Sequence, residues 1–278
     1  MKWLLPGLCL LLTGLCPAAE PAKVTMKSAV LARDVSFSVL FPDSYKTEAD
    51  RRYPVIYVLD GWYGNGMGLF YNNAIGQRPF IQNFADEKQV IVVNFGLPAD
   101  WYFDSPMDPK LQFGTFLGQE LIGYIDKNYR TIARREGRAI TGFSSGGHGA
   151  LLFAFQNPKT CIAAGSIYGC PDLTRYVGSK PDWKLPHVLG LHADHSDNWA
   201  RCSLEPHLKN AKGTGMTIWF GCGVRDELLP DNRKLSEQMK ALGIEHTYHE
   251  GPGGHDGQYA SAGFQECMKA LEKHLQRQ

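Results

Sequence analysis

Residues 141–150 read Thr141-Gly142-Phe143-Ser144-Ser145-Gly146-Gly147-His148-Gly149-Ala150. A short apolar run precedes them and a helix-like run follows, so a Gly-x-Ser-x-Gly pattern lies between a strand and a helix. This context is typical of a nucleophile elbow, a turn so tight that only glycine fits two residues to either side of the serine. We therefore expect Ser144 to be exposed at the carboxyl end of a sheet, with the N–H of Ser145 pointing into the same cleft. The alternative is a flexible glycine and serine turn, which the flanking strand and helix disfavour.

The length and composition of the chain indicate one large α/β domain. The chain has 278 residues, which is enough for a well-buried core. Its formal net charge is +1 and 21% of its residues are charged, so its charge gives no reason to expect a nucleic-acid partner. Glycine and proline are spread along the chain and no segment repeats, which favours a loop-rich globular fold.

Residues 1–19 have the pattern of a secretory signal peptide. Met1-Lys2 supplies a positive start, residues 3–12 are apolar, and Cys16-Pro17-Ala18-Ala19 places small residues near a cleavage site. The apolar run is too short to span a bilayer, and no later run is long enough. We therefore expect a secreted or periplasmic mature domain at residues 20–278, with no membrane span after cleavage.

The mature chain would keep an odd number of cysteines. They are Cys161, Cys170, Cys202, Cys222 and Cys267. Because export permits disulfides and five is odd, we expect at least one thiol to be free or to pair between chains. The sequence leaves the pairing open.

Apolar and amphipathic runs alternate along the chain and predict a mostly parallel sheet flanked by helices. Runs at residues 24–30 and 35–41 predict an antiparallel hairpin at the sheet edge. Further strands are predicted at residues 54–59, 90–94, 138–140, 161–167, 216–221 and 244–249. Helices are predicted at residues 115–129, 151–156, 231–242 and 264–275. With the elbow between a strand and a helix, this order predicts an α/β-hydrolase fold.

The loop after the strand at residues 54–59 reads Asp60-Gly61-Trp62-Tyr63-Gly64. In α/β-hydrolases the loop at this place supplies the second donor of the oxyanion hole. We therefore expect the backbone N–H of Trp62 to act together with that of Ser145. Gly61 lets the backbone turn, and we expect Gly61 and Tyr63 to contact substrate. The alternative is an ordinary strand-to-helix connection.

Two other regions are candidates for the substrate pocket. The loop at residues 96–108 carries Trp101, Tyr102 and Phe103, which either contact substrate or cover the core. We assign Trp101 to substrate binding. Residues 171–212 break the alternation of strands and helices and predict a small lid-like insertion.

The insertion contains a group of residue types that can bind zinc, namely His187, His192, Asp194 and His195. Nothing in their spacing places them on one face of a helix or hairpin. A polar loop rich in histidine is therefore the favoured interpretation, and we expect neither a metal nor a cofactor.

Three residues have the chain order of an α/β-hydrolase triad: Ser144, Asp226 and His255. Each comes directly after a predicted strand, at the edge where parallel sheets place their sites. Serine is a poor nucleophile unless a histidine takes its proton, and an acid must hold that histidine in the correct tautomer. We therefore predict that these three residues are catalytic.

Other residues compete for the roles of acid and base. Asp231 is expected to cap the helix that begins there. Asp256 adjoins His255, and neighbouring side chains seldom point at each other. His148 lies in the elbow helix, where packing or pocket lining is favoured over proton transfer.

Four segments carry a family resemblance. They read Val-Ile-Tyr-Val-Leu-Asp-Gly at 55–61, Gly-Phe-Ser-Ser-Gly-Gly-His-Gly at 142–149, Gly-Cys-Gly-Val-Arg-Asp at 221–226 and Gly-Gly-His-Asp at 253–256. With them the chain resembles the esterase D family of α/β-hydrolases, which includes S-formylglutathione hydrolases, tributyrin esterases, feruloyl esterases and mycolyltransferases. The resemblance covers residues 35–275 and implies the same triad. Asp60 departs from the family, which often has histidine or serine there, and Gly257 replaces a frequent tryptophan.

These observations predict an exported serine esterase for carboxylic esters with a short-chain or feruloyl-type acyl group. The export signal favours carbohydrate-linked esters over glutathione thioesters, which belong to the cytoplasm. One alternative is an acyltransferase of the mycolyltransferase type, which keeps the triad and differs in the acceptor. Others are a metal-dependent hydrolase and a non-catalytic binding protein with the hydrolase fold. The sequence leaves the oligomeric state open.

Overall fold

A mixed eight-stranded sheet lies at the centre of the part of the chain that the structure describes, residues 20–66, 68–71, 78–97 and 100–276 of a computed structural model. The strands are β1 (Ala22–Ser28), β2 (Arg33–Leu40), β3 (Val55–Leu59), β4 (Ile91–Phe95), β5 (Arg138–Gly142), β6 (Ala163–Ile167), β7 (Thr217–Gly223) and β8 (Thr247–Gly251). Their order across the sheet is β1-β2-β4-β3-β5-β6-β7-β8. The predicted signal peptide lies outside the described residues.

Helices connect the strands and cover the sheet. They are α1 (Ser44–Thr47), α2 (Gly68–Tyr71), α3 (Arg78–Lys88), α4 (Phe113–Thr115), α5 (Ile122–Asn128), α6 (Ser145–Gln156), α7 (Leu185–Leu189), α8 (His192–Cys202), α9 (Leu208–Ala211), α10 (Leu229–Ala241) and α11 (Gly257–Glu272). A π-helical turn, Phe116–Leu121, joins α4 to α5. Short 3-10 turns lie at Arg135–Gly137, Thr174–Tyr176, Pro181–Trp183 and Glu205–His207.

The pairing of the strands confirms the predicted fold. β1 pairs antiparallel with β2, and β2 pairs antiparallel with β4, as expected for a hairpin at the sheet edge. All the other neighbours are parallel. β3 and β4 are buried along their whole length, which explains why both are continuous apolar runs. The carboxyl ends of the parallel strands therefore meet at one edge, where the site is built.

The two helices that begin furthest ahead of their predicted starts do so for local reasons. The elbow helix α6 starts at Ser145, because the glycines of the elbow form its first turn although they weaken the helical pattern. The last helix, α11, starts at Gly257 instead of residue 264. The carboxylate of Asp256 accepts hydrogen bonds from the N–H groups of Gln258 and Tyr259 and so caps this helix.

Residues 171–212, predicted to be a lid-like insertion, lie between β6 and β7 and form short helices and turns. Their apolar side chains reach into the core, because Leu185, Leu189 and Trp199 are almost fully buried. Residues 171–212 therefore contribute to the core. The described residues contain no group of three or more metal-ligating side chains placed to hold an ion, in this region or elsewhere.

The five cysteines of the described residues are all buried and unpaired. Burial raises the pKa of Cys161, Cys202 and Cys267 to about 12, so these thiols stay protonated and unreactive near neutral pH. They behave as small core residues.

None of the described helices is both long enough and apolar enough to cross a bilayer.

Two glycines allow the packing of the helices to be tested. Gly123 is exposed in α5 and a Cβ there would meet nothing within 4 Å, whereas a Cβ at Gly149 would lie 2.3 Å from that of Tyr102. We expect Gly123→Ala to raise the free energy of unfolding by about 0.5–1 kcal/mol through helix propensity. Gly149→Ala should lower it by about 1–3 kcal/mol through overpacking. Urea unfolding measures both, and equal stabilities of the two variants would contradict the contact at Gly149.

Candidate active site

The elbow after β5 places Ser144 in a strained conformation. Its backbone has φ 53° and ψ −118°, a conformation that residues other than glycine rarely adopt. A Cβ at Gly142 would lie 2.5 Å from the carbonyl group of Gly146, and one at Gly146 would lie 2.3 Å from the carbonyl oxygen of Asp60. Both positions therefore require glycine. The N–H of Ser144 donates to the carbonyl of Ile167 at 2.9 Å, which holds the turn against β6.

The structure brings Ser144, His255 and Asp226 together in one line of hydrogen bonds. His255 Nε2 lies 2.9 Å from Ser144 Oγ, and His255 Nδ1 lies 2.8 Å from Asp226 Oδ2. The Asp226 side chain is fully buried, and its Oδ1 accepts from the N–H of Leu228 at 2.9 Å. Because Asp226 accepts from Nδ1–H, Nε2 is left free to accept the proton of Ser144.

The two aspartates that compete with Asp226 have other partners. Asp256 caps α11, as described above. Asp231 was expected to cap its helix, and this is wrong: its buried carboxylate makes no capping bond and accepts instead from Arg175 and the hydroxyl of Tyr176. Both partners belong to the insertion, so sequence proximity gave no sign of them.

His148 is a fully buried residue of the elbow helix α6. Its Nε2 lies 2.8 Å from the carbonyl oxygen of Cys202, so Nε2 carries the hydrogen, and its ring packs edge-on against Trp101 and Phe103. Burial lowers its pKa to about 4 and keeps the ring neutral. Its backbone N–H donates to the carbonyl of Ser144 at 2.9 Å, whereas among the described residues its ring has no hydrogen bond to Ser144, Asp226 or His255, so the expected packing role fits its position.

The predicted oxyanion loop lies directly against the nucleophile. A Cβ at Gly61 would be 3.5 Å from the Cβ of Ser144. Ser145 is the first residue of α6, where the backbone N–H is not used by the helix. Trp62 is half-buried and lines the same cavity as Gly61 and Ser144. The backbone of residues 61–62 and the start of α6 thus approach the serine from two sides.

The carboxylate of Asp60 is hydrogen-bonded both to β4 and to the chain that follows this loop. Its Oδ1 accepts from the side-chain amide of Asn94 at 2.8 Å, and its Oδ2 accepts from the N–H of Gly66 at 2.8 Å. Burial raises its pKa, while these hydrogen bonds oppose the shift. The departure from the family at Asp60 is therefore accommodated by a buried network that anchors the loop to β4.

The triad opens into a cavity of about 870 Å³. Its wall includes Gly61, Trp62, Tyr63, Tyr168, Trp183 and Glu227. Tyr63 is 86% exposed at the entrance, so both Gly61 and Tyr63 lie where the sequence predicted contact with substrate. The side chain of Lys180 forms an ion pair with Glu227 at 2.6 Å across this wall.

Trp101 does not line this cavity, although it was predicted to contact substrate. It is 2% exposed, and its ring packs against those of Trp62, Phe103 and Trp183. Its Nε1 donates to the carbonyl of Trp183 at 2.9 Å. Trp101 thus supports the cavity wall from behind, because the insertion covers the loop that carries it.

Tyr168 belongs to the site but was missed from the sequence. It follows β6 directly, lines the cavity and packs its ring on that of His255, with centroids 4.2 Å apart. The available signal was its place immediately after a predicted strand, at the edge that carries the other site residues.

The fold and the site define an α/β-hydrolase with a serine nucleophile elbow, and comparison with known proteins identifies the family. The model of the family described as "Putative esterase" matches residues 28–273. The chain belongs to this family, which confirms the predicted resemblance.

Relatives in sequence carry esterase names. The chain is 31% identical over 241 residues to an esterase of Mycobacterium tuberculosis, covering 78% of this chain and 52% of the relative. It is 27% identical over 217 residues to an acetyl esterase of Caldicellulosiruptor saccharolyticus, covering 72% and 76%. The chain thus spans about half the length of the mycobacterial relative.

Solved structures show the same fold. A ferulic acid esterase has a TM-score of 0.72 at 22% identity, covering 92% of this chain and 98% of that one. An S-formylglutathione hydrolase from Agrobacterium tumefaciens has a TM-score of 0.75 at 20% identity, covering 92% and 95%. At these identities the likeness supports the fold alone.

The buried His148 makes stability depend on pH. The unfolded chain takes up a proton as the pH falls through about 6.5, whereas folded His148 does so only near 4. The stability that the neutral ring contributes is therefore present above about pH 6.5 and lost as the pH falls toward 4. We expect the wild type to lose about 3 kcal/mol more than His148→Gln over this interval in urea unfolding. If the free energy of unfolding depended on pH in the same way in the two proteins, the ring would not be held neutral.

Proposed function

We propose that this protein is a serine esterase that hydrolyses carboxylic esters through Ser144, His255 and Asp226. The observation that carries the proposal is the continuous line of hydrogen bonds from Ser144 Oγ through both ring nitrogens of His255 to the buried carboxylate of Asp226. Each residue has the partner that its role requires. Membership in a family of esterases supports the same reaction.

In the first half-reaction, Ser144 Oγ attacks the ester carbonyl while His255 Nε2 takes the hydroxyl proton. Asp226 holds Nδ1–H and stabilises the imidazolium that forms. The carbonyl oxygen becomes negative and is stabilised by the backbone N–H groups of Ser145 and Trp62. A donor of this kind contributes roughly 3–4 kcal/mol to the transition state.

His255 returns its proton to complete the first half-reaction and then repeats the proton transfer in the second. The imidazolium of His255 gives its proton from Nε2 to the leaving alcohol as the tetrahedral intermediate collapses, and the acyl group stays on Ser144. Water then attacks the acyl-enzyme while Nε2 takes a proton from it. Collapse of the second intermediate releases the acid and restores the Ser144 hydroxyl.

We propose esters with a short-chain or feruloyl-type acyl group, linked to a carbohydrate, as the substrate class. The wall of the cavity offers the aromatic faces of Trp62, Tyr63 and Trp183, on which flat acyl groups and sugar rings pack. Lys180 and Glu227 add a polar side suited to hydroxyl groups. The names of the relatives, acetyl esterase and ferulic acid esterase, support this range of acyl groups.

The pattern of residues 1–19, a positive start followed by an apolar run and small residues, supports export as part of this proposal. The mass of the mature chain after expression with these residues tests it. Export predicts a product that lacks them, and retention of the full chain would contradict it.

An acyltransferase is the second candidate, and one comparison favours it. The chain is 25% identical over 188 residues to a diacylglycerol acyltransferase/mycolyltransferase of Mycobacterium avium. The acyl-enzyme on Ser144 would be the same, and an acceptor alcohol would replace water. Product analysis with and without added sugar acceptor separates the two, since transfer yields a new ester and hydrolysis yields the free acid.

A panel of p-nitrophenyl acetate, butyrate, octanoate and ferulate tests the reaction itself. We expect the wild type to hydrolyse the short-chain or ferulate esters, and Ser144→Ala to lose on the order of a millionfold in kcat, because triad members act as one unit. Absence of hydrolysis by the wild type on every ester, with the chain folded, would overturn the proposed function.

Asp226 and Asp256 provide a matched pair that tests the identity of the acid. Asp226→Asn should lower kcat on the order of ten-thousandfold, because the wrong imidazole tautomer is then held. Asp256→Asn should leave kcat within about twofold, because asparagine caps a helix about as well as aspartate. Both are measured on the best ester of the panel, and similar losses in the two variants would contradict the assignment of Asp226.

A further inference from the structure

Two residues of the candidate site have a strained backbone. The described non-glycine residues with positive φ are Ala32, Gln89, Ser144, Tyr168 and Lys184. Ser144 and Tyr168 both belong to the site, and Tyr168 has φ 41°. Bulky residues with positive φ are genuine outliers, and such strain persists where the surrounding structure enforces it, often at functional sites.

The neighbours of Tyr168 enforce its conformation. Its N–H donates to the carbonyl of Gly221 at 2.7 Å, which ties it to β7. The carbonyl of Gly169 accepts from the side chain of Asn232 at 3.0 Å. A Cβ at Gly169 would lie 2.3 Å from Ser166 Oγ, so the chain next to Tyr168 is packed tightly against its surroundings.

This strained segment contacts both reacting residues of the triad. The carbonyl of Ile167 accepts from the N–H of Ser144, and the ring of the next residue, Tyr168, lies on His255 at a tilt of 40°. Among the described residues, Tyr168 supplies the only ring contact to His255. The end of β6 therefore contacts Ser144 through the backbone of Ile167 and contacts His255 through the side chain of Tyr168.

His255 has an imidazole that the protein encloses only in part. It follows Gly253 and Gly254, and its side chain is 38% exposed. An imidazole serves both hydrogen bonds only in one plane, and a small rotation breaks the bond to Ser144 or to Asp226. A ring face against the imidazole restricts that rotation. It also favours the imidazolium of the transition state, since an aromatic face attracts a cation within about 6 Å.

We propose that Tyr168 is a positioning residue that holds the His255 imidazole in the plane joining Ser144 to Asp226, and that the strained backbone at this position is kept for that contact. The proposal rests on the proposed function for its kinetic consequence. The aromatic ring carries the role, and the hydroxyl is not required.

Three variants test the proposal by steady-state kinetics on the best ester of the panel. Tyr168→Phe keeps the ring and should retain kcat within about twofold. Tyr168→Leu removes the ring and should lower kcat on the order of tenfold, with KM changed less than kcat, because the contact acts on the transition state. Tyr124→Leu is the matched control, since it removes a half-buried tyrosine that packs on Phe37 away from the site, and its kcat should stay unchanged.

A second readout does not require turnover. The Nδ1–H proton of His255, bound to Asp226, should give a downfield proton NMR resonance that persists in Tyr168→Phe and broadens or disappears in Tyr168→Leu. If the wild type hydrolyses no ester, the proposed function fails while this resonance still decides the positioning role. If Tyr168→Leu does not fold, Tyr168→Met replaces it, because methionine adapts to irregular apolar space.

Two results would overturn the proposal. One is a Tyr168→Leu or Tyr168→Met enzyme with wild-type kcat and an unchanged resonance. The other is a Tyr168→Phe enzyme as impaired as Tyr168→Leu, which would place the role in the hydroxyl instead of the ring. Loss of activity in Tyr124→Leu to the same extent would trace the effect to general destabilisation and would also overturn it.

Discussion

The backbone of β3 and the first turn of α6 touch at Gly146, and no side chain separates them. This contact places the loop after β3 and the nucleophile of the elbow in one rigid unit. Hydrogen bonds from Phe143 to Leu59 and from Ser144 to Ile167 tie the same turn to both neighbouring strands. The strained backbone of Ser144 persists because these bonds to the strands on either side hold the turn in place. The other residues of the site are arranged around this turn.

Two buried carboxylates lie close to this turn, and each is fully partnered. Asp226 is held by His255 and the N–H of Leu228, while Asp60 is held by Asn94 and the N–H of Gly66. An unpaired charge at this depth would cost several kcal/mol. The hydrogen bonds also direct the two charges differently: Asp226 faces the imidazole, whereas Asp60 faces the sheet. One aspartate can thus serve the histidine while the other anchors the oxyanion loop.

The insertion at residues 171–212 supplies one wall of the cavity and is joined to the domain by polar contacts as well as by apolar packing. Arg175 and Tyr176 bind Asp231, and the carbonyl of Trp183 binds Trp101. The chemistry of the site lies on the strand ends, whereas the shape of the pocket is set by this insertion. Substrate choice can therefore vary within the fold without disturbing the triad.

The sequence by itself determined the sheet, its antiparallel edge and the chain order of Ser144, Asp226 and His255, because each depends on local patterns of apolar residues, glycine and strand ends. Only the tertiary structure decided which side chains meet across the chain. Asp231 was predicted to cap a helix, but in the structure it binds Arg175 and Tyr176 of the insertion. Trp101 was predicted to contact substrate, but the same insertion covers it. Tyr168 carried no motif, since its contact with His255 joins the residues that follow β6 and β8, two strands that are distant in sequence and separated in the sheet by β7. Contacts of this kind depend on three-dimensional packing between distant segments, which no local pattern encodes.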